Sequence, residues 1–226
     1  MKIRLTDELI AMRVTKEFKD GYLVNLGAGI PTLVSSCDLG DKRVVFHSEN
    51  GLLGYGRILS ADEEGNWDYD LINAFGQYVT PTPIMSVVDH CMAFAIVRGG
   101  RLDVTVLGAL QVSQDGDLAN WAISRDWKQY GARIGGAMDM PIGAKKVIVA
   151  MQHTTKDGQP KIVKNLTYPL TAEKCVNLIV TDLAVIEVTE GGLLLKEVVP
   201  GWTAEEIQEL TEAELMVSTN LAEIEF

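Results

Sequence analysis

The sequence predicts an α/β protein: an open, mostly parallel, twisted sheet with helices on both faces. Three observations carry this. Short apolar runs rich in β-branched residues recur at 22–26, 43–47, 103–107, 145–151, 176–181 and 184–188, each of strand length. Around the first two, the order is strand, glycine turn, helix, strand, the pattern of a parallel sheet. The chain has 226 residues, 47% of them apolar and 23% charged, so it can bury a sizeable core. No linker, repeat or low-complexity tract divides it, and a single domain over residues 1–226 is expected.

The elements follow in order. Thr6 can cap a first helix, with Asp7 and Glu8 in the turn where the helix dipole favours acids. Ile10, Val14 and Phe18 repeat every four residues, and Gly21 ends the segment. The strand at 22–26 runs into Gly27, Gly29 and Pro31, a turn that opens a second helix at 32–36. Residues 60–69 are acidic without an apolar period, hence a surface loop. Residues 86–97 read as a helix stopped by Gly99 and Gly100, and Asp157 with Gly158 marks a turn within 154–161. Gly191 and Gly192 join the strand at 184–188 to one at 193–199 as a hairpin. Thr203 with Glu206, and Thr211 with Glu214, are capping-box patterns that place the C-terminal acids on a solvated helical surface.

Charge and cysteines narrow the function classes. Lys plus Arg is 20 and Asp plus Glu is 31, a net charge of −11, the wrong sign for a nucleic-acid footprint. No run approaches about 18 apolar residues, so a membrane span is not expected. The first residues lack a secretory pattern. Cys37, Cys91 and Cys175 are far apart with no CxxC pair, which fits reduced thiols in a cytoplasmic protein.

Three glycine-rich segments can carry chemistry: NLGAGIP at 25–31, SENGLLGYG at 48–56 and IGGAMDM at 134–140. Glycine is favoured where backbone must approach a ligand closely. Gly27 and Gly29 match the opening of a dinucleotide fingerprint, with Glu49 about 20 residues further on, but Thr32 stands at the third glycine position. A nucleotide-cofactor oxidoreductase is therefore one alternative, and a plain strand-to-helix turn another. Glu49 follows an apolar strand and precedes Asn50 and Gly51, a pair suited to a tight turn. Such a turn would hold the carboxylate at a strand's C-terminal end, where open α/β sheets bind ligands. A fixed glutamate can act as a covalent nucleophile; the plain alternative is an exposed loop acid. No His or Asp stands at ligand spacing from Glu49, so no metal is expected. Gly135 and Gly136 offer adjacent N–H groups of the kind that make oxyanion holes. His47, on an extended strand two residues away, would share the face of Glu49 and either tune it or sit partly buried. His90 reads as structural, and Trp121 and Trp127 as core or interface aromatics.

These segments carry a resemblance. The chain resembles the β subunit of the class I CoA-transferases over residues 8–218. The motifs are NLGAGIPTLV at 25–34, SENGLLGYG, DLINA at 70–74, FAIVRGG at 94–100, LGALQVSQDGDLANW at 107–121, GGAMDM at 135–140 and YPLTAEKCVNLIVTDLAVIEV at 168–188. The resemblance implies transfer of CoA from an acyl-CoA to a free short-chain carboxylic acid, 3-oxo or substituted acids included. The route is ping-pong through a glutamyl-CoA thioester, with CoA as substrate and no separate cofactor. It implies Glu49 as nucleophile, Asn25 and Gly136 as backbone oxyanion donors, and substrate or CoA contacts from Gly27, Gly29, Asn50, Gly51, Phe75, Gly76, Asn120 and Gly135. It also implies a separate α subunit in an α2β2 or higher hetero-oligomer. The remaining alternative is a non-catalytic acyl-CoA binding protein of the same fold, against which the intact Glu49 argues. His153, with Thr154, Thr155 and Lys156, either reaches a CoA phosphate or forms a turn.

The chain departs from the pattern at four places. Phe75 and Gly76 follow DLINA where Gly-Gly or Gly-Lys is usual. Pro83, Ile84 and Met85 replace PGA, residues 123–133 replace IPGK, and Met151, Gln152 and His153 replace MEH. An altered acyl pocket walled by Phe75, Ile84 and Met85 is expected. Without the lysine, acetoacetate and succinate should be poor substrates beside simple short-chain acids.

Overall fold

The computed structural model of the protein describes residues 2–124 and 134–226. Helix α1 (Asp7–Thr15) starts where Thr6 Oγ1 accepts the Leu9 N–H, and it buries Ile10, Ala11 and Val14. It ends before Phe18, which packs into the same core from the following turn.

The main sheet is assembled from β1 (Leu23–Leu26), β2 (Val45–His47), β3 (Leu52–Leu53), β4 (Ser86–Val87), β5 (Val104–Leu107), β8 (Val147–Met151), β10 (Leu178–Thr181), β11 (Ala184–Thr189), β12 (Gly192–Val198) and β13 (Leu215–Glu223). Their order is β13-β12-β11-β10-β8-β5-β1-β2-β3-β4. The central strands β10, β8, β5, β1 and β2 run parallel, as expected for strands covered on both faces. Antiparallel pairs extend the sheet through β3 and β4 on one side and β11 and β12 on the other. A smaller sheet has the order β7-β6-β9, from β6 (Gln111–Ser113), β7 (Leu118–Ala119) and β9 (Ile162–Val163).

Side chains alternate across the main sheet with period two, which divides the core into two layers. Val24, Leu26, Val104, Val106, Ile148, Ala150, Leu178 and Val180 face α1 and the short helix α2 (Ile30–Leu33). Leu107, Val147, Val149, Met151 and Ile179 face the other way. There they pack with Val97 of α3 (His90–Arg98), Met140 of α4 (Asp139–Gly143), Ile207 of α5 (Ala204–Glu209) and the small sheet. Buried Arg13 locks α1 to β12 through Glu197 and also pairs with Glu17, which Lys146 bonds in turn.

From β1 the chain steps to β2 on one side and later to β5 on the other. The C-terminal ends of β1 and β5 therefore diverge into a crevice, the ligand-binding position of open α/β sheets.

Three stretches differ from the sequence expectation. Residues 86–97 are not one helix: Ser86 and Val87 pair antiparallel with β3, and α3 begins only after Asp89, whose Oδ1 accepts the Met92 N–H. Residues 61–66 form 3₁₀ turns (Ala61–Asn66) with a kink at Glu63, which completes a capping box with Ser60. The pair Thr211 and Glu214 starts no helix, although Thr203 and Glu206 do cap α5. Thr211 instead bonds the Ile207 carbonyl and the His153 ring, and the C-terminal acids lie on or beside β13, parallel to β12.

His153 gives a stability prediction. It is fully buried, its Nδ1 meeting Thr181 Oγ1 at 3.0 Å and its Nε2 meeting Thr211 Oγ1 at 2.9 Å. Burial lowers its pKa to about 4 from an ordinary 6.5, so folding requires the neutral ring. The unfolded chain binds that proton first, so the contribution is present above pH 6.5 and is lost as pH falls toward 4. Unfolding free energy should drop by about 2 kcal/mol between pH 7 and pH 5 from this group. His153→Gln should flatten that slope in denaturant titrations at the two pH values.

Candidate active site

The turn after β2 is held by its own backbone. The Ser48 N–H donates to Leu52 O at 2.8 Å, Gly51 N–H to Ser48 O at 3.0 Å and Val88 N–H to Gly51 O at 2.9 Å. Gly51 has φ +115°, and a Cβ there would stand 2.0 Å from Val88 O. Only glycine fits this approach, so Gly51 shapes the turn that aims Glu49.

The residues flanking Glu49 carry a second turn. Ser48 Oγ accepts the Ala74 N–H at 2.8 Å, and Asn50 Nδ2 donates to Ile72 O at 2.7 Å. Buried Asn73 closes that turn, its Oδ1 accepting the N–H of Phe75 at 2.9 Å and of Gln77 at 3.1 Å. Phe75 and Gly76 are thus fixed relative to Glu49 by residues of the SEN and DLINA motifs.

Glu49 Oε2 accepts the Gly136 N–H at 3.1 Å. A Cβ on Gly136 would lie 2.5 Å from that oxygen and 2.8 Å from Met140 Cε, and one on Gly135 would lie 3.1 Å from Oε1. Across the turn, His90 Nδ1 meets the Glu49 carbonyl oxygen at 3.1 Å. A carbonyl only accepts, so Nδ1 carries the hydrogen. The His90 ring packs 4.7 Å from that of Phe94, Arg98 lies over Phe94, and Arg98 bonds Asp139 at 2.7 Å. Helices α3 and α4 thereby bracket the double-glycine loop.

A cavity of about 760 Å³ opens at this point. Residues 25–28 line it from the end of β1, residues 107–110 from the end of β5, and residues 134–137 and Met140 from the double-glycine loop and α4. Glu49, residues 74–76 and Asn120 complete the wall. Among these described lining residues Glu49 alone is charged. The expected residues Asn25, Gly27, Glu49, Phe75, Gly76, Asn120, Gly135 and Gly136 are brought together here. Gly29 lines an adjacent groove, and Asn50 and Gly51 support the turn from outside. Asn120 Oδ1 accepts from Thr171 Oγ1 at 2.8 Å.

The Asn25 side chain points away from the cavity, which leaves the expected backbone role untouched. Its Nδ2 bonds His47 Nδ1 at 3.2 Å and the His47 carbonyl at 3.3 Å, while its Oδ1 accepts from Thr105 Oγ1 at 3.0 Å. The amide is committed to a buried network beneath the cavity. His47 is fully buried, with Nε2 on the Ala93 carbonyl at 3.1 Å and Nδ1 facing Asn25, so neither nitrogen addresses the carboxylate. Burial pushes the His47 pKa down, which suits this neutral, donating Nε2–H form.

His153 does not reach the cavity and is buried between Thr181 and Thr211. Ile84 is exposed with its carbonyl against Gly54, and Met85 packs on the core, so of the three expected wall residues only Phe75 lines the cavity. None of the cysteines lines it, and burial raises the thiol of Cys175 to about 11. Trp121 Nε1 donates to Leu170 O, and Trp127 lies outside the described residues. Among the described residues no group of three or more His, Cys, Asp or Glu side chains could hold a metal. No helix among them is long and apolar enough to cross a membrane.

Sequence reasoning missed the contacts that fix the site. Nothing local links Glu49 to His90, and the sheet-end residues 107–110, though part of the 107–121 motif, are assigned no contact to the site from sequence.

Among the described lining residues a single carboxylate, held by a double-glycine loop, thus stands at the ends of the parallel strands of an α/β fold, where such sheets bind ligands. The Coenzyme A transferase family matches residues 8–210, and the chain belongs to that family as an enzyme of the β-subunit type. It is 47% identical over 216 residues to one subunit of the 3-oxoadipate CoA-transferase of Acinetobacter baylyi, covering 96% of this chain and 97% of that protein. It is 44% identical over 210 residues to one subunit of the succinyl-CoA:3-ketoacid coenzyme A transferase of Helicobacter pylori, covering 93% and 98%. An acyl-CoA transferase structure from Escherichia coli O157:H7 shares the fold, with TM-score 0.73 and 20% identity over 100% of this chain and 45% of that one.

Proposed function

We propose that this chain is the catalytic subunit of an enzyme that moves CoA from an acyl-CoA to a free carboxylic acid through Glu49. The observation that carries the reading is the Gly136 N–H on Glu49 Oε2, at the mouth of a crevice in which Glu49 is the one charge among the described lining residues.

The carboxylate attacks the thioester carbonyl carbon, the C–S bond breaks, and CoA leaves as thiolate from an acyl–glutamyl anhydride. The thiolate then attacks the glutamyl carbonyl. That C–O bond breaks, releasing the first acid and leaving a glutamyl-CoA thioester. The second acid repeats both steps in reverse order and departs as its CoA thioester, restoring Glu49. Every step is acyl transfer between oxygen and sulfur, which needs neither a metal nor a redox cofactor. Negative charge develops on the glutamyl oxygen when thiolate attacks, and the Gly136 N–H already points at it. Asn25 acts through the backbone it positions at the end of β1, and Asn120 lines the opposite wall.

The dinucleotide alternative has no comparable support, because Glu49 is held by Gly136 rather than left to meet a ribose. A non-catalytic role leaves the fitted double-glycine loop unexplained.

An α subunit completes the site. The relatives are themselves named as subunits of their enzymes. The described cavity wall carries no cation for the CoA phosphates. A hetero-oligomer of α2β2 type or higher follows. The absence of a lysine beside Phe75 makes acetoacetate and succinate poor acceptors beside acetate or butyrate.

Incubating the α–β complex with acyl-CoA alone and then with borohydride should reduce residue 49, located by peptide mass mapping. An unmodified Glu49 under conditions of full turnover would remove this mechanism.

A further inference from the structure

A second groove of about 310 Å³ lies against the catalytic cavity. It is lined by Asp7, Gly29, Ile30, Thr32, Leu33, Phe75 and Gln77. Phe75 is the one residue that lines both. The same two chain segments wall the two spaces in succession: residues 27–28 then 29–30, and residues 74–76 then 77. The spaces therefore lie end to end, with the phenyl ring between them. The backbone that carries the ring is fixed, because Asn73 and Ser48 hold its turn from both sides.

We propose that Phe75 is a partition that sets acyl length, excluding longer-chain monocarboxylic acids by closing off a groove that would otherwise take their uncharged tails. This rests on the CoA-transfer reading above. Charge decides what the groove can take. Its one ionisable lining group is Asp7, whose Oδ1 accepts from Gln152 Nε2 at 2.6 Å. Among its described lining residues there is no cation to meet a phosphate or a distal carboxylate. An anionic group entering the groove would meet Asp7 with no cation among the described lining residues to offset it, so the groove suits an uncharged tail. Ile30 and Leu33 supply apolar surface for methylene groups. With the ring present this surface is cut off from the reacting carbon.

The test is kcat/KM for butyrate, hexanoate and octanoate with the α–β complex. The wild-type enzyme should discriminate against hexanoate and octanoate. Phe75→Gly should raise the hexanoate-to-butyrate ratio by about tenfold or more, and Phe75→Leu should move it the same way by a smaller factor. Refilling the groove with Ile30→Trp in the Phe75→Gly background should return the ratio toward wild type. A ratio unmoved in both Phe75 variants while butyrate transfer continues overturns the proposal. So does a change confined to KM for the CoA donor. Failure of the underlying reading looks different: no transfer to any acid by the wild-type complex and no adduct at Glu49.

Discussion

Glu49→Ala should abolish CoA transfer, lowering kcat by at least about 10⁴-fold, because the proposed mechanism loses the carboxyl group that carries acyl on its oxygen and then CoA on its carbon. The variant should still fold. Glu49 is half-buried and its carboxylate bonds one backbone N–H, so the thermal midpoint should stay within about 4 °C of wild type. Glu49→Gln is the sharper control. It keeps the side chain's shape and an oxygen for the Gly136 N–H, but an amide oxygen is a far weaker nucleophile. Both variants should also lose the isotope exchange between an acyl-CoA and its own free acid. Exchange at near wild-type rate in either would place the nucleophile elsewhere.

Gly136→Ala should be the next most damaging change, lowering kcat by about 10²–10³-fold, the usual cost of losing one oxyanion donor. The added Cβ would lie 2.5 Å from Glu49 Oε2, 2.8 Å from Met140 Cε and 3.0 Å from Phe94 Cζ. Met140 Cε is the end of a flexible side chain and can move. Phe94 is held by His90 and Arg98, and the carboxylate is held by the turn. The carboxylate must therefore swing away from the N–H that orients it. The loss should fall on kcat more than on KM for the acyl-CoA, since the bond matters most when charge builds on the glutamyl oxygen. A variant with wild-type kcat would mean that Gly136 is there only for packing.

How much of the site could be read in advance depended on sequence distance. Glu49, Asn50 and Gly51 are adjacent, and their turn chemistry is local, so the strand-end glutamate was legible. The double glycine was legible as a donor pair, but its target was not, because 87 residues separate Gly136 from Glu49. Ser48 and Ala74 are 26 apart and His90 and Glu49 41 apart, and no periodicity spans such gaps. Asn25 was legible as a site residue by resemblance. Its inward amide became visible only when His47 and Thr105 flanked it on neighbouring strands.

The same division runs through the fold. The parallel core is written into the chain: apolar β-branched runs at 22–26, 103–107, 145–151 and 176–181 hold their own pattern and can be buried only between two covered faces. So are the starts of α1 and of α5, because a capping hydroxyl acts within three residues. The sheet's edges, by contrast, are set by long-range pairing. Ser86 and Val87 are a strand because β3 offers them a partner. Residues 215–223 are a strand because β12 does. Their own spacing, with the less exposed Leu215, Ser218 and Leu221 three apart, imitates a helix. An edge strand buries little, so its sequence is weakly patterned and its state is set by the neighbour that completes its hydrogen bonds.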